Sequence, residues 1–369
     1  MVKYVKDDRL TVKRDGERIY DIVYSDSFEG IKTEILTLEK SYKRICIVTD
    51  TNVGPLYSDQ LKAALTGYEV SVYEIPAGEE HKNLDEIRKI YTYLIENHFD
   101  RRDLLIALGG GVTGDMCGYT AATYLRGIDF IQVPTTLLAQ CDSSIGGKTG
   151  VDLDGYKNMV GAFYMPVLVY MNLKVLDSLD DRQYYSGFAE VMKHGLIKDD
   201  KFYSWLIDNM YEICDRDYET LKIMIYNNCL IKGKVVEADP TEKGERAILN
   251  FGHTIGHSIE KASGFRRLHG ECVALGCVAA AYISWHHKLI SMEEYYEIRD
   301  MFVPFNLPIS VDDVDPEDIL KYTRSDKKMA GDKIRFILLS RIGNALIDET
   351  VTDQDILDAV NAILWKDED

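Results

Sequence analysis

The sequence predicts an α/β domain built on a parallel sheet, followed by a mostly α-helical domain. In the first half of the chain, short apolar runs alternate with amphipathic stretches of helical spacing. This alternation is typical of a parallel sheet with helices on its faces. After about Leu176, helical segments follow one another and strand patterns become rare. We therefore place the two domains at residues 1–176 and 177–369.

Individual elements follow from the spacing of apolar residues. In the first domain, one helix is predicted at 84–98, and strands are predicted at 41–50, 69–75, 104–108 and 130–133. In the second domain, one strand is predicted at 333–340, and helices are predicted at 181–197, 218–237, 252–261, 270–288 and 292–302.

Composition excludes several classes of protein. The 369 residues include 43 basic and 61 acidic side chains, a formal charge of -18, which argues against a general nucleic-acid or anionic-membrane binder. No apolar run reaches the ~18 residues of a spanning helix, and the amino terminus is too charged for a secretory signal. The seven cysteines form no CxxC pair. They indicate buried thiols and a cytoplasmic location.

A glycine turn follows the predicted strand at 104–108, in LLIALGGGVTGDMCG. Gly109, Gly111 and Gly114 match G-x-G-x-x-G, a pattern that lets a nucleotide phosphate approach a helix amino terminus. A tight turn without a ligand is an equally good interpretation of a lone match. Two other predicted strands precede the one that leads into the turn, and the acidic strand end, Asp50, lies upstream of the turn. The order therefore differs from the ordinary dinucleotide-binding fold, although a nucleotide site remains predicted.

Histidine and glutamate side chains supply candidate metal ligands. His253 and His257 are four residues apart on a predicted helix, and His269 follows in LHGE. Glu190, in GFAEVMKHG, could complete a Glu/His/His site with an open position for substrate. The alternatives are ordinary polar histidines and an ion pair between Glu190 and Lys193.

Basic residues that flank these motifs, many of them in glycine- or asparagine-containing segments, could together bind a substrate that carries phosphate and carboxylate groups. Any one of them is more simply a solvated surface residue. These residues are Arg126, Lys148, Lys157, Lys193, Lys232, Arg246, Lys327 and Lys328.

Over nearly its whole length the chain resembles the 3-dehydroquinate synthase family. The order and spacing of the matching blocks carry this resemblance: PAGEEHK, GGGVTGD, RGIDFIQVPTTLLAQCDSSIGGKTGVD, KNMVGAF, GFAEVMKHG, residues 232–260, LHGE and SDKKMAGDKIRFILLSRIG. The chain departs from the family pattern at Asp152, Met165, Asn172 and Cys277.

The resemblance implies roles for individual residues. The implied metal ligands, for zinc or cobalt, are Glu190, His253 and His269, which leaves His257 as a substrate-contacting or proton-handling residue. The implied NAD contacts are Asp50, Glu79, Lys82, Gly110, Gly111, Val112, Asp115, Thr135, Thr136 and Lys157. The implied substrate contacts are Arg126, Asp142, Lys148, Asn158, Lys193, Lys232, Arg246, Asn250, His257 and Lys327 or Lys328, of which we favour Lys327.

The resemblance also implies a reaction in which 3-deoxy-arabino-heptulosonate 7-phosphate becomes 3-dehydroquinate and phosphate. A hydroxyl is oxidised by NAD, phosphate is eliminated, the ketone is reduced again, and an aldol step closes the carbocycle, so NAD is regenerated. A homodimer is implied, with Arg126 reaching the partner's substrate. Three alternatives stay open: a cyclase acting on a sugar phosphate without a carboxylate, a metal-dependent alcohol or polyol dehydrogenase, and an inactive binding homologue.

Overall fold

A computed structural model describes residues 2, 8–242, 244–328 and 335–365, with the backbone alone at 325–328. The strands in this part of the chain are β1 (Arg9–Arg14), β2 (Glu17–Ser25), β3 (Arg44–Asp50), β4 (Glu69–Ile75), β5 (Leu104–Gly109), β6 (Asp129–Pro134), β7 (Lys148–Leu153), β8 (Tyr156–Phe163), β9 (Leu168–Asn172), β10 (Phe336–Arg341) and β11 (Asn344–Asp348). The helices are α1 (Ile31–Leu36), α2 (Gly54–Ala64), α3 (Leu84–Glu96), α4 (Gly111–Thr123), α5 (Asp181–Lys198), α6 (Asp200–Asp208), α7 (Met210–Cys214), α8 (Tyr218–Ala238), α9 (His253–Ala262), α10 (His269–His286), α11 (Met292–Asp300), α12 (Pro316–Lys328) and α13 (Asp353–Ile363).

A seven-stranded sheet organises the first half of the chain, in the order β1-β2-β9-β6-β5-β3-β4. The strands from β2 to β4 in this order are parallel, and β1 pairs with β2 in the antiparallel sense. Alternate residues of β3 enter two separate cores: Ile45 and Ile47 on one face, Cys46 and Val48 on the other. Both faces are buried, which explains why the central strands are continuous apolar runs.

Two compact units can be distinguished by their internal contacts. One comprises residues 8–179 and 221–241, and the other comprises 180–220 and 242–365. The sequence placed the whole of 177–369 in the second domain. Helix α8 packs with the first unit because its side chains bind that unit's backbone: Asn228 Nδ2 donates to Cys141 O at 2.6 Å, and Lys232 Nζ donates to Asp142 O at 2.6 Å.

The second unit is built around α10, which is buried along most of its length and packs against α5, α9, α11 and α13. Glycines let α9 approach α10 closely. A Cβ on Gly276 would lie 1.9 Å from Gly252 O, and one on Gly252 would lie 2.6 Å from Cys277 Sγ. The β10–β11 hairpin completes this unit.

The predicted fold class is confirmed: a parallel-dominated sheet is followed by a mainly helical region. Strands β3 to β6 and helices α3, α5 and α8 to α11 lie where the sequence predicted them, within a few residues. Strands β1, β2, β7, β8, β9 and β11 were missed. The seven cysteines are free, as predicted, and Cys214 alone among them is partly exposed. No helix in the described ranges is long and apolar enough to cross a membrane.

Candidate active site

The glycine turn lies at the point of the seven-stranded sheet where the strand order reverses. The chain passes from β3 to the edge strand β4 and then returns to the other side of β3 with β5. Ligands of open α/β sheets bind at the carboxyl ends of strands at such a switch point. Asp50 ends β3, the glycine turn follows β5, and Thr135 follows β6. The topology thus brings the upstream acid beside the glycine turn, although Gly109 lies 59 positions after Asp50 in the sequence.

Close packing requires glycine in this turn. A Cβ on Gly109 would lie 2.5 Å from Thr113 Oγ1, one on Gly110 would lie 3.1 Å from Thr136 Cγ2, and one on Gly111 would lie 3.2 Å from Ser143 Oγ. Helix α4 begins at Gly111, so the N–H groups of its first turn, Val112 included, face the same edge. Free N–H groups at a helix amino terminus favour an anionic group.

Asp50 is held in a fixed orientation at this edge. Its Oδ1 accepts hydrogen bonds from the N–H groups of Asn52 at 2.9 Å and Val53 at 3.1 Å. Its Oδ2 accepts from the hydroxyl of Thr113 at 3.0 Å. Thr113 was missed by the sequence analysis, although it lies inside the glycine motif.

Lys82 is a buried lysine at the centre of a partly exposed charge cluster in the first unit. Its Nζ lies 2.7 Å from Asp115 Oδ2 and 3.9 Å from Glu79 Oε1, and it donates to Asn158 Oδ1 at 2.6 Å. Lys157 Nζ is 3.7 Å from the same Glu79 oxygen. Burial lowers the pKa of Lys82, but Asp115 and Glu79 raise it to a net value above the ordinary one. Burial also raises the pKa of Asp115, and Lys82 offsets that shift only in part.

Lys148 and Asn158 lie on the β7–β8 hairpin, which packs on α4. Both side chains are exposed. Asn158 has a positive φ of 57° and donates its backbone N–H to Asp152 Oδ1 at 2.7 Å. The hairpin turns at Asp154 and Gly155, which both have positive φ. Asp-Gly is typical of this turn, so it is a signal that could have revealed the hairpin.

Asp142 and Lys232 form an ion pair within the first unit. Asp142 lies in a one-turn π-helix at Ala139–Ser143, and its Oδ1 is 2.5 Å from Lys232 Nζ on α8. Lys232 is buried, so α8 brings a nearly desolvated cation to the loop that follows β6.

Three ligand atoms converge in the second unit. His253 Nε2 lies 3.3 Å and His269 Nε2 3.5 Å from Glu190 Oε1. Ligand atoms held about 2.0–2.1 Å from a tetrahedral ion lie about 3.3 Å apart, so this spacing fits a zinc-like centre. The Glu190 side chain is fully buried; its Oε2 forms an ion pair with Lys193, and its Oε1 faces both imidazole nitrogens. A metal ion would give Oε1 and the two nitrogens a common partner.

Neighbouring oxygens orient both imidazoles. His253 Nδ1 lies 3.1 Å from the carbonyl oxygen of Phe251, which can only accept, so Nδ1 carries the proton and Nε2 is left as a ligand. His269 Nδ1 faces Glu260 Oε2 at 4.0 Å, and its Nε2 faces Glu190. Glu260 follows His253 by seven residues on α9, so helical spacing places it on the same face.

Charge at this cluster favours an ionised carboxylate. Burial alone would raise the pKa of Glu190, but Lys193, His253 and His269 hold it well below the ordinary value. Burial and Lys193 lower the pKa of His253, which keeps that imidazole neutral as a ligand must be. Burial lowers the pKa of His269, and Glu190 and Glu260 overcome it, raising the pKa to about 9.

Among the other predicted substrate contacts of the second unit, His257 and Lys193 lie beside these ligands. His257 is exposed, and its ring centroid is 5.1 Å from that of His253 and 5.9 Å from that of His269. Arg246 is only 1% exposed, and Asn250 Nδ2 donates to Glu242 Oε1 at 2.9 Å. Lys193 Nζ forms an ion pair with Glu190 Oε2. The side chains of Lys327 and Lys328 lie outside the described part of the chain.

Arg126 is the remaining predicted substrate contact of the first unit. It lies on an exposed turn in which Leu125, Arg126 and Gly127 all have positive φ. The alternative role of Arg126 was an ion pair with Asp129. In the structure Asp129 Oδ2 instead binds Lys40 Nζ at 2.6 Å and the Tyr42 hydroxyl at 2.8 Å.

Comparison with solved structures defines the class of protein. The fold matches 2-epi-5-epi-valiolone synthase from Streptomyces hygroscopicus, solved with NAD⁺ and Zn²⁺, at a TM-score of 0.86 and 26% identity over 96% of this chain and 99% of that one. It also matches 2-deoxy-scyllo-inosose synthase, solved with carbaglucose-6-phosphate, NAD⁺ and Co²⁺. That match has a TM-score of 0.86 and 26% identity, and it covers 96% of this chain and 100% of that one. The fold is thus that of an enzyme class that includes these synthases.

Sequence comparison defines the family within that class. The model of the 3-dehydroquinate synthase N-terminal region matches residues 72–186, and that of the C-terminal region matches 187–329. A 3-dehydroquinate synthase from Acetivibrio thermocellus is 43% identical over 350 residues, which cover 94% of this chain and 97% of that protein. The chain belongs to the 3-dehydroquinate synthase family.

Proposed function

We propose that this chain converts 3-deoxy-arabino-heptulosonate 7-phosphate to 3-dehydroquinate and phosphate. The convergence of Glu190, His253 and His269, in a member of this family, is the observation that carries the proposal. Three protein ligands leave room for substrate at a catalytic metal site. The seven free thiols fit a reducing compartment and support a cytoplasmic location.

We assign the carboxyl edge of β3, β5 and β6 to NAD and the Glu/His/His cluster to one zinc or cobalt ion. NAD supplies reversible hydride acceptance when bound, and the ion supplies polarisation of a substrate oxygen. The glycine turn can admit the pyrophosphate closely, since its glycines carry no side chains and lead directly into the amino terminus of α4. The predicted NAD contacts therefore fit the group.

The cationic side chains position the substrate by charge. In the second unit we assign Lys193, Arg246, Asn250 and His257 to the substrate, and in the first unit we assign Asp142, Lys148, Asn158 and Lys232. Burial of Lys193, Lys232 and Arg246 strengthens their interaction with an anion, because little water screens it. Such groups hold the phosphate and carboxylate ends while the bonds between them change.

The substrate class can be tested by removing the carboxylate. We expect phosphate release from the heptulosonate phosphate to exceed that from a carboxylate-free heptose or hexose phosphate by about 10³-fold or more, since the proposed charge-assisted contact between Arg246 and the carboxylate would be lost. Comparison of kcat/KM for the two substrates, with NAD and cobalt present, measures this ratio. Equal rates would favour a cyclase for sugar phosphates that lack a carboxylate.

The state of Arg126 supports a homodimer with composite sites. The side chain is exposed, and its turn holds two consecutive non-glycine residues at positive φ, a strained conformation that functional sites often maintain. Arginine suits bidentate binding of phosphate. We infer that Arg126 of one subunit contacts the substrate phosphate bound by its partner.

Mixed dimers test this inference. Arg126→Ala and Lys148→Ala should each be inactive alone. After subunit exchange, one site of every mixed dimer carries both lesions and the other carries neither, so activity should return to as much as about half of the wild-type value per mixed dimer. Unchanged inactivity after exchange demonstrated by mass spectrometry would place Arg126 in its own subunit's site. Arg126→Ala should retain NAD and metal.

A further inference from the structure

We propose that Arg182, Ser186, Gly270 and Glu271 form a clasp between α5 and α10 that sets the spacing of two metal ligands and so controls metal affinity. The inference rests on the metal site assigned above. It adds positioning residues that bind no ligand themselves, and all of them lie in the second unit.

The clasp pairs one face of α5 with the first turn of α10. Arg182, Ser186 and Glu190 are spaced four residues apart, so they lie along one side of α5. Helix α10 begins at His269, and Gly270 and Glu271 follow directly. Glu271 meets Arg182, Gly270 meets Ser186, and His269 meets Glu190. The contact between the ligands Glu190 and His269 is therefore the last of three successive contacts between α5 and the start of α10.

The middle contact fixes the distance between the two backbones. Ser186 Oγ accepts a hydrogen bond from the N–H of Gly270 at 3.0 Å, and Ser186 is 3% exposed. A Cβ on Gly270 would lie 1.8 Å from Ser186 O and 2.5 Å from its carbonyl carbon. No side chain fits at this position unless the helices separate, and separation would move His269 away from Glu190.

The outer contact fixes the start of α10. Arg182 binds Glu271 through two hydrogen bonds, Nε to Oε1 at 2.6 Å and Nη2 to Oε2 at 2.9 Å. Glu271 Oε2 also accepts the N–H of Leu268 at 2.8 Å, immediately before His269. Arg182 Nη2 further donates to Arg266 O at 3.3 Å. The Glu271 carboxylate thus connects Arg182 on α5 to the backbone of Leu268, so residues before and after His269 are both held.

Such contacts matter because a metal site loses affinity when its ligands must be reorganised on binding. Groups that orient ligands without touching the metal commonly change affinity by about 10–100-fold when they are removed. The clasp holds a carboxylate and an imidazole from different helices at 3.5 Å, a separation that a flexible helix start would not maintain.

The experiment measures Co²⁺ affinity by competition with a chelator, together with the visible absorption of the bound ion. Ser186→Ala and Glu271→Gln should each weaken Co²⁺ binding by about tenfold and alter the absorption band, and Gly270→Ala should weaken it by about 100-fold. Matched controls come from the same unit. Ser284→Ala removes a buried serine on α10 that accepts the N–H of Leu339 at 3.0 Å, and Glu294→Gln removes the equivalent helix-start carboxylate of α11, which accepts the N–H of Ser291 at 2.8 Å.

Both controls should have a Co²⁺ affinity within about twofold of the wild type, well apart from the tenfold loss expected for Ser186→Ala and Glu271→Gln. Folding of each metal-free variant is checked by thermal melting, and Ser186→Ala and Glu271→Gln decide the matter if Gly270→Ala does not fold. Folded clasp variants with wild-type affinity and spectrum would overturn the inference and leave the metal site in place. A wild-type chain that binds no Co²⁺ would overturn the metal site and the clasp together.

Discussion

Replacing His269 by alanine is expected to remove the bound divalent ion and to lower kcat/KM by at least about 10³-fold, because polarisation of the substrate oxygen by the ion is worth several kcal/mol. His269 Nε2 lies 3.5 Å from Glu190 Oε1, and the remaining pair of Glu190 and His253 forms an incomplete site. Metal analysis after dialysis, with NAD binding as a check of folding, measures the loss.

His257→Ala is the matched control for that variant. His257 also lies within reach of His269 and Glu260, so a different triad of potential ligands is present on the same helices. If Glu190, His253 and His269 are the ligands, His257→Ala keeps a full complement of metal and loses activity only because its contact with the substrate is removed. A metal-free His257→Ala would favour the second triad, and a fully loaded His269→Ala would contradict both.

Lys82→Met is expected to lower the free energy of unfolding by about 3 kcal/mol and to abolish tight NAD binding. Removing one partner of a buried ion pair leaves the other charge without compensation, which typically costs about 3–5 kcal/mol. Lys82 is 4% exposed, and its loss would leave Asp115 and Glu79 together beside the glycine turn. Urea unfolding and NAD titration measure the two effects.

The loss of unfolding free energy in Lys82→Met should become smaller as the pH falls. Burial already raises the pKa of Asp115 in the folded chain, and loss of Lys82 removes the attraction that opposes this shift. A raised carboxyl pKa stabilises the fold fully below the unfolded value of 3.8 and loses that contribution as the pH rises through the folded value. Lys174→Met is the control, since its pair with Asp177 is exposed on both sides and should change stability little. Equal losses in both variants would contradict a stabilising role for buried Lys82.

The sequence revealed the parts of the sheet that are buried on both faces. Strands β3 and β5 are unbroken apolar runs because each contributes to two cores. The β7–β8 hairpin carries no such pattern. Gly150 and Gly161 face each other across it, and a Cβ on Gly161 would lie 2.2 Å from Thr149 O, so backbone proximity takes the place of apolar side chains.

Tertiary contacts limited the prediction of the site. Apolar spacing identified α8 but could not show that Asn228 and Lys232 bind the backbone at 141–142. Residue spacing also could not choose between His257 and His269 as ligands, because that choice depends on how α10 meets α5 and α9. Resemblance to the family supplied the choice in advance, and the 3.5 Å approach of His269 to Glu190 supports it.

The redox balance of the reaction tests the proposed function most directly. Phosphate release and NADH absorbance are followed together, with the heptulosonate phosphate in large excess over enzyme and with NAD and cobalt added or withheld. We expect phosphate to accumulate over many turnovers only when both are present, while NADH stays at or below one equivalent per site, because each hydride taken from the substrate is returned to it. NADH that rises in step with product would contradict the proposal and identify the chain as a metal-dependent dehydrogenase.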